Sequence, residues 1–204
     1  MARAKSEPET TSKLGLFGGM FDPVHFGHLL SAQLTAEELD LDRVLFVPAG
    51  IPPHRSQPAT EGILRLEMLR LAVEDNPLFK ACDKEIQKDS PAYTVETIEE
   101  LKEELPGVEI FLLVGSDELA EFHRWHRWED ILGLVRLVGI NRPGTTLDNV
   151  NKKILDNCRL IDIPGLDISS SQLRRRRKNR RSLRYQLPGR VRKFIFDRNL
   201  YVGN

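Results

Sequence analysis

Cysteine is nearly missing: Cys82 and Cys158 are the only two in 204 residues. They stand far apart and outside any Cys-x-x-Cys spacing, which excludes a disulfide framework and a zinc knuckle and points to a reducing, cytoplasmic compartment. Long apolar runs are missing too. Nothing approaches the roughly 18 residues that a membrane span needs, so no membrane partner is expected. Residues 1–12, MARAKSEPETTS, lack the apolar stretch of a secretory signal and read as a loose polar tail. Net charge is zero, 30 Lys plus Arg against 30 Asp plus Glu, so overall charge names no partner. There is no internal repeat. No dense cluster of carboxylates offers a protein cage for a divalent cation.

What remains is an ordinary globular composition, 40% hydrophobic and 29% charged. The length suits one well-buried α/β core, and two would be cramped. Short apolar runs at residues 13–17, 43–47, 108–114 and 136–140 read as buried strands, with weaker candidates at 79–86 and 159–163. Between them, Ile63, Leu66, Leu69 and Val73 fall at helical spacing, as do Val95, Ile98, Leu101 and Leu105, and Pro106-Gly107 stops the second helix. Strands alternating with helices predict a mostly parallel, doubly wound α/β sheet. A single domain is expected over residues 13–204, its last part, about 168–204, a small helical section. Charge is unevenly spread: residues 83–121 lean acidic and 174–192 are strongly basic, the pattern of a block used locally on a phosphate-bearing ligand or on nucleic acid.

The first strand runs directly into Gly18-Gly19-Met20-Phe21-Asp22-Pro23-Val24-His25-Phe26-Gly27-His28. In an open parallel sheet, ligands sit beyond the carboxyl ends of strands, which is where this turn lies. Glycines there let the backbone approach a phosphate, and Pro23 can pre-set the first turn of the following helix. His25 and His28, three apart, share a face near a helix start, where free N–H groups already attract anions. The turn lacks both the Gly-x-Gly-x-x-Gly pattern and the Gly-Lys-Ser/Thr of a P-loop. A lone Gly-Gly turn with two capping histidines would be structural; the whole string after a first strand is a candidate triphosphate site.

This string resembles the signature of adenylyltransferases with a His-x-Gly-His motif, especially the bacterial nicotinate mononucleotide adenylyltransferases. The resemblance implies a Rossmann-like fold, ATP as co-substrate, Mg2+ bound mainly through the ATP phosphates, and a role in NAD synthesis. It assigns His25 and His28 to the ATP phosphates, with Gly18, Gly19 and Phe21 beside them. Far downstream, Ile168-Ser169-Ser170-Ser171-Gln172-Leu173-Arg174 is similar to the family's Ile-Ser-Ser-Thr-x-Ile-Arg, with Ser171 for Thr and Leu173 for Ile. Asp167 or one of the serines is a natural helix cap, so Ser170, Ser171 and a first-turn Arg174 form a second anion site. The arginines after Arg174 read as a solvated face.

The same resemblance places the acceptor. Pro52-Pro53-His54-Arg55 follows the second strand, and His54 with Arg55 can grip a phosphate. Thr94 lies in a segment that in the family recognises the nicotinate carboxylate. Trp125 is assigned to stacking on the pyridine ring and Trp128 to packing. Gly115 and Asp117 close the strongest strand, matching the family's Gly-x-Asp, and Arg142, in Asn141-Arg142-Pro143-Gly144, is an expected ATP contact. The catalytic set is then His25, His28 and Arg174, acting on ATP and nicotinate mononucleotide. Other acceptors (nicotinamide mononucleotide, phosphopantetheine, a cytidylyltransferase substrate) are weighed against by Thr94 and Trp125. A non-catalytic nucleotide sensor or RNA-binding module is weighed against by the intact histidines and Arg174. Nucleic acid is therefore not an expected partner, and a homo-oligomer stays open.

Overall fold

The structure, a computed structural model, describes residues 12–51, 58–141 and 147–203. Strands and helices alternate along the chain: β1 (Lys13–Gly19), α1 (Phe26–Leu39), β2 (Arg43–Pro48), α2 (Gly62–Val73), β3 (Phe79–Ala81), α3 (Thr94–Glu104), β4 (Glu109–Gly115) and α4 (Ser116–Leu119). A single 3-10 turn (Phe122–Arg124) follows, then α5 (Trp128–Leu134), β5 (Arg136–Asn141), α6 (Lys152–Asp156), β6 (Cys158–Asp162), α7 (Ser170–Lys178) and α8 (Gly189–Asp197).

The strands form one parallel sheet in the order β3-β2-β1-β4-β5-β6. This is the Rossmann-like order, with its reversal between β1 and β4, where Phe17 lies opposite Leu113. The chain therefore opens a crevice beyond the carboxyl ends of these two strands.

The inner strands are apolar because both sheet faces are covered. Successive side chains point to opposite faces. Leu14 and Leu16 of β1 enter one layer with Val95, Ile98 and Leu101 of α3, Ile131 of α5 and Ile154 of α6. Phe17 enters the other with Ala32 and Ala36 of α1, Met68 and Leu69 of α2, Leu173 of α7, and Val191 and Ile195 of α8. Burying a side chain such as Ile98 contributes roughly 2 kcal/mol. That burial holds α3, whose 11 residues would be marginal as an isolated helix.

Four expectations need correction. The strand expected over 79–86 stops at Ala81, because the chain turns over residues 84–87 and buries Glu85. Ile63, expected on the core face of α2, is 50% exposed, while Arg65 is 1% exposed. Leu105, at the end of the second helical pattern, caps α3 and is exposed. Ser12, assigned to the tail, belongs to the fold: its N–H and hydroxyl both donate to Asp42 at 2.9 Å, and its carbonyl accepts from the Glu109 N–H at 2.8 Å. No helix among the described residues is long and apolar enough to cross a membrane.

Candidate active site

Beyond β1 the chain makes a buried turn. Phe21 adopts a left-handed backbone conformation (φ 48°), a cost of about 1–3 kcal/mol for a non-glycine residue. Its ring repays this by packing on Phe17 (5.9 Å), Phe46 (5.8 Å) and His28 (5.0 Å). With that side chain enclosed, Phe21 has only backbone to offer a ligand. Gly18 differs: it is exposed, and a Cβ there would meet nothing within 4 Å. The protein's own packing leaves room at the strand end for a phosphate to approach the backbone.

Pro23 does not open the helix as expected; it follows Asp22 through a cis peptide, and α1 begins only at Phe26. His25 is the N-cap, in extended conformation, so the two histidines do not share a helical face. They meet nonetheless. Their rings stack at 3.7 Å, and the His25 N–H donates to His28 Nδ1 at 3.3 Å. Gly27 permits the stack, since a Cβ there would sit 3.0 Å from the His25 ring. His25 is buried and His28 half-buried.

The serine-arginine segment arrives at this turn from 147 residues downstream: the Ser170 hydroxyl donates to the Pro23 carbonyl at 2.8 Å. Ser169 supplies the cap, accepting from the Gln172 N–H at 3.2 Å. Arg174 is the fifth residue of α7 rather than a member of its first turn. Helical side chains lean toward the N-terminus, so its guanidinium still reaches the helix start. It donates to the Asp22 carbonyl at 2.7 Å and to the Ser171 hydroxyl at 3.2 Å. The first N–H groups of α7 have no intrahelical acceptor, as at any helix start, and lie beside these hydroxyls and the histidine turn. Further along the basic run, Arg177 covers the Phe196 ring at 4.2 Å and Arg176 donates to the Ser182 carbonyl, so these two hold the helical section together; Arg175, Arg180 and Arg181 are exposed.

A buried polar network that the sequence reading missed fixes the turn from behind. The Asp22 carboxylate accepts from the Tyr201 hydroxyl at 2.6 Å and the Ala59 N–H at 2.7 Å. Burial, and then the neighbouring Asp22, push the Tyr201 phenol well above its ordinary value. Arg65 donates to the carbonyls of Met20, Ala49 and Thr60 at 2.9, 2.6 and 3.2 Å. The Asp-Pro within the turn was the available signal for Asp22. Arg65 gave none, because it interrupts an apolar helical pattern where charge reads as solvent-facing.

In the segments expected to bind the acceptor, the N-cap position of α3 is Tyr93, with Thr94 first in the helix rather than capping it. The Tyr93 and His126 rings lie 4.4 Å apart, which brings the segments carrying Thr94 and Trp125 together. Trp125 is half-buried against Phe122 at 4.9 Å. Trp128 packs partly on the core with Lys153 over its ring, as expected. Asp117 is exposed at the mouth of β4, and a Cβ on Gly115 would fall 2.6 Å from its Oδ1, so glycine lets that carboxylate fold over the strand end. His54, Arg55 and Arg142 lie outside the described residues.

Among the described residues no group of three or more His, Cys, Asp or Glu is arranged to hold a metal ion.

A Rossmann-like sheet with a histidine turn and a serine-capped basic helix at its switch point is the arrangement expected of a nucleotidyltransferase, and the model of the cytidylyltransferase-like family matches residues 16–176. A probable nicotinate-nucleotide adenylyltransferase of Exiguobacterium sibiricum is 40% identical over 192 residues, covering 93% of this chain and 99% of that protein. The nicotinate-nucleotide adenylyltransferase of Bacillus subtilis is 34% identical over 190 residues, covering 93% and 98%. The solved Plasmodium falciparum nicotinic acid mononucleotide adenylyltransferase, complexed with NaAD, shares the fold at a TM-score of 0.73 and 20% identity, over 93% of this chain and 97% of that one. The chain belongs to the nicotinate-nucleotide adenylyltransferase family, within the cytidylyltransferase-like class.

Proposed function

We propose that this chain transfers AMP from ATP to the phosphate of nicotinate mononucleotide, releasing pyrophosphate and forming the dinucleotide. The observation that carries the reading is the meeting of Ser170 and Arg174 with the carbonyls of Pro23 and Asp22 in the histidine turn, at 2.8 and 2.7 Å. It is supported by the names of the relatives and by the NaAD held by the Plasmodium protein.

An acceptor phosphate oxygen attacks the α-phosphorus in line; the new P–O bond forms as the bond to the β-phosphate oxygen breaks, and its electron pair leaves with pyrophosphate. The nucleophile is already an anion at neutral pH, so no side chain need remove a proton. Catalysis reduces to alignment and charge stabilisation. His25, His28 and Arg174 support the triphosphate and the departing charge, with Ser170, Ser171 and the backbone at Gly18, Gly19 and Phe21 around it. Gly115, Asp117 and Arg142 are assigned to the nucleotide, and His54, Arg55, Thr94 and Trp125 to the acceptor; His54, Arg55 and Arg142 enter by sequence alone. Mg2+ bound through the ATP phosphates would offset part of their charge, leaving the rest to His25, His28 and Arg174.

The test is pyrophosphate release from ATP with nicotinate mononucleotide, its amide counterpart and phosphopantetheine as separate acceptors. Turnover greatest with the acid is expected. A clear preference for the amide overturns the choice of acceptor, and release with none of the three overturns the transfer reaction.

A further inference from the structure

One peptide unit just beyond β2, between Ala49 and Gly50, is flanked by two buried polar residues, Arg65 and Glu85. The Ala49 carbonyl accepts from Arg65 at 2.6 Å, and Gly50, on the other side of the same peptide, packs against Glu85. Arg65 is 1% exposed and Glu85 is 8% exposed. Glycine is obligatory at 50, where a Cβ would lie 2.2 Å from the Glu85 carbonyl. Each gripping residue also holds a second segment. Arg65 donates to the Met20 carbonyl at 2.9 Å, on the histidine turn, and Thr97 of α3 donates to Glu85 at 3.2 Å, three residues beyond Thr94. The Ala49 N–H closes the set by donating to the Gly19 carbonyl at 2.9 Å.

A buried arginine whose direct partners are carbonyls is a poor device for stability alone. Desolvation costs several kcal/mol, and an apolar side chain of similar volume often serves as well or better. What an apolar chain cannot supply is the rigid fork, which sets the spacing of the Met20 and Ala49 carbonyls.

We infer that Arg65 and Glu85 are positioning residues that lock residues 49–51 to the histidine turn on one side and to α3 on the other, so that nucleotide and acceptor are presented in one fixed alignment. The link to catalysis rests on the transfer reaction proposed above; the mechanical coupling does not. In-line transfer is sensitive to such alignment, and a displacement near 1 Å costs about a hundredfold in rate.

The test compares wild type with Arg65→Met, Arg65→Lys and Glu85→Leu by hydrogen exchange and by steady-state transfer from ATP to nicotinate mononucleotide. In Arg65→Met, exchange at residues 19–24 and at 49–51 is expected to accelerate together, with kcat down about tenfold or more and the ATP KM little changed. Arg65→Lys restores only part of the rate, since it keeps charge without the fork. In Glu85→Leu, which removes the acceptor of the Thr97 hydroxyl, exchange at residues 49–51 and 94–97 is expected to accelerate; no change at either overturns the part assigned to Glu85. Unchanged exchange in both loops of Arg65→Met, or acceleration in one loop only, overturns the coupling whether or not wild type turns over this substrate. Should Arg65→Met not fold, Arg65→Lys carries the same readouts. A folded variant with coupled acceleration and kcat within about twofold of wild type overturns the catalytic link.

Discussion

The guanidinium of Arg174 donates to the carbonyl of Asp22 at 2.7 Å, joining points 152 residues apart in the chain. The main chain of Asp22 thus faces the helix that carries Arg174, while its carboxylate faces away, to Tyr201 and Ala59. One residue ties the site to the last helical section. It also explains why that section, remote in sequence, completes the crevice.

Tyr201→Phe removes one of the two donors that the described residues offer the buried Asp22 carboxylate. A buried acceptor left short of a partner costs about 1–3 kcal/mol. Urea unfolding should show a loss in that range, with the transfer rate lowered less than in a histidine variant. A midpoint equal to wild type would mean that the Tyr201 hydroxyl does not support the turn.

Gly27→Ala sets two effects against each other. In a helix, alanine is favoured over glycine by about 1 kcal/mol. The added Cβ, however, would sit 3.0 Å from the His25 ring and 3.6 Å from the Ile168 carbonyl. The ring is buried and must shift to accommodate it. Stability is therefore expected to change little, while turnover falls about tenfold or more as the His25–His28 stack is displaced. Thermal unfolding and pyrophosphate release, measured side by side, separate the two; full turnover would show that the stack is not needed.

Glu85 gives a pH dependence of known sign. Burial is the main cause that raises its carboxyl above the ordinary glutamate value, outweighing the Thr97 and Gly50 hydrogen bonds that lower it. A group raised in the folded state contributes stability that is fully present below its unfolded value and is lost as pH climbs through the folded one. From about pH 4 upward, wild type should lose stability relative to Glu85→Gln until the raised value is passed. Unfolding curves across that window check it, and a constant difference between the two proteins contradicts it.

The sheet was legible because its strands are apolar on both faces, and because glycine turns mark the ends of β1 and β4. The three-residue β3 was only half legible: it pairs with β2 alone, and the apolar residues beyond it pack in a turn. The histidine turn and the serine-arginine segment were legible as strings; their contact, through Ser170 and Arg174, needed the fold. What stayed hidden was polar and buried. Arg65 lies in a helix whose apolar spacing puts Ile63 inward, yet three carbonyl acceptors draw the arginine in and leave Ile63 half exposed. No local pattern shows that such acceptors will converge, since they come from three separate segments. Glu85 and Tyr201 escaped for the same reason.

The central claim is that His28 and Arg174 act on one triphosphate, and a double-mutant cycle on pyrophosphate release tests it most directly. His28→Ala and Arg174→Ala should each lower turnover by about a hundredfold or more with circular dichroism unchanged, and the double variant should lose far less than the product of the two. If either single variant turns over within about threefold of wild type, or if the two losses simply multiply, the two segments do not share a catalytic task.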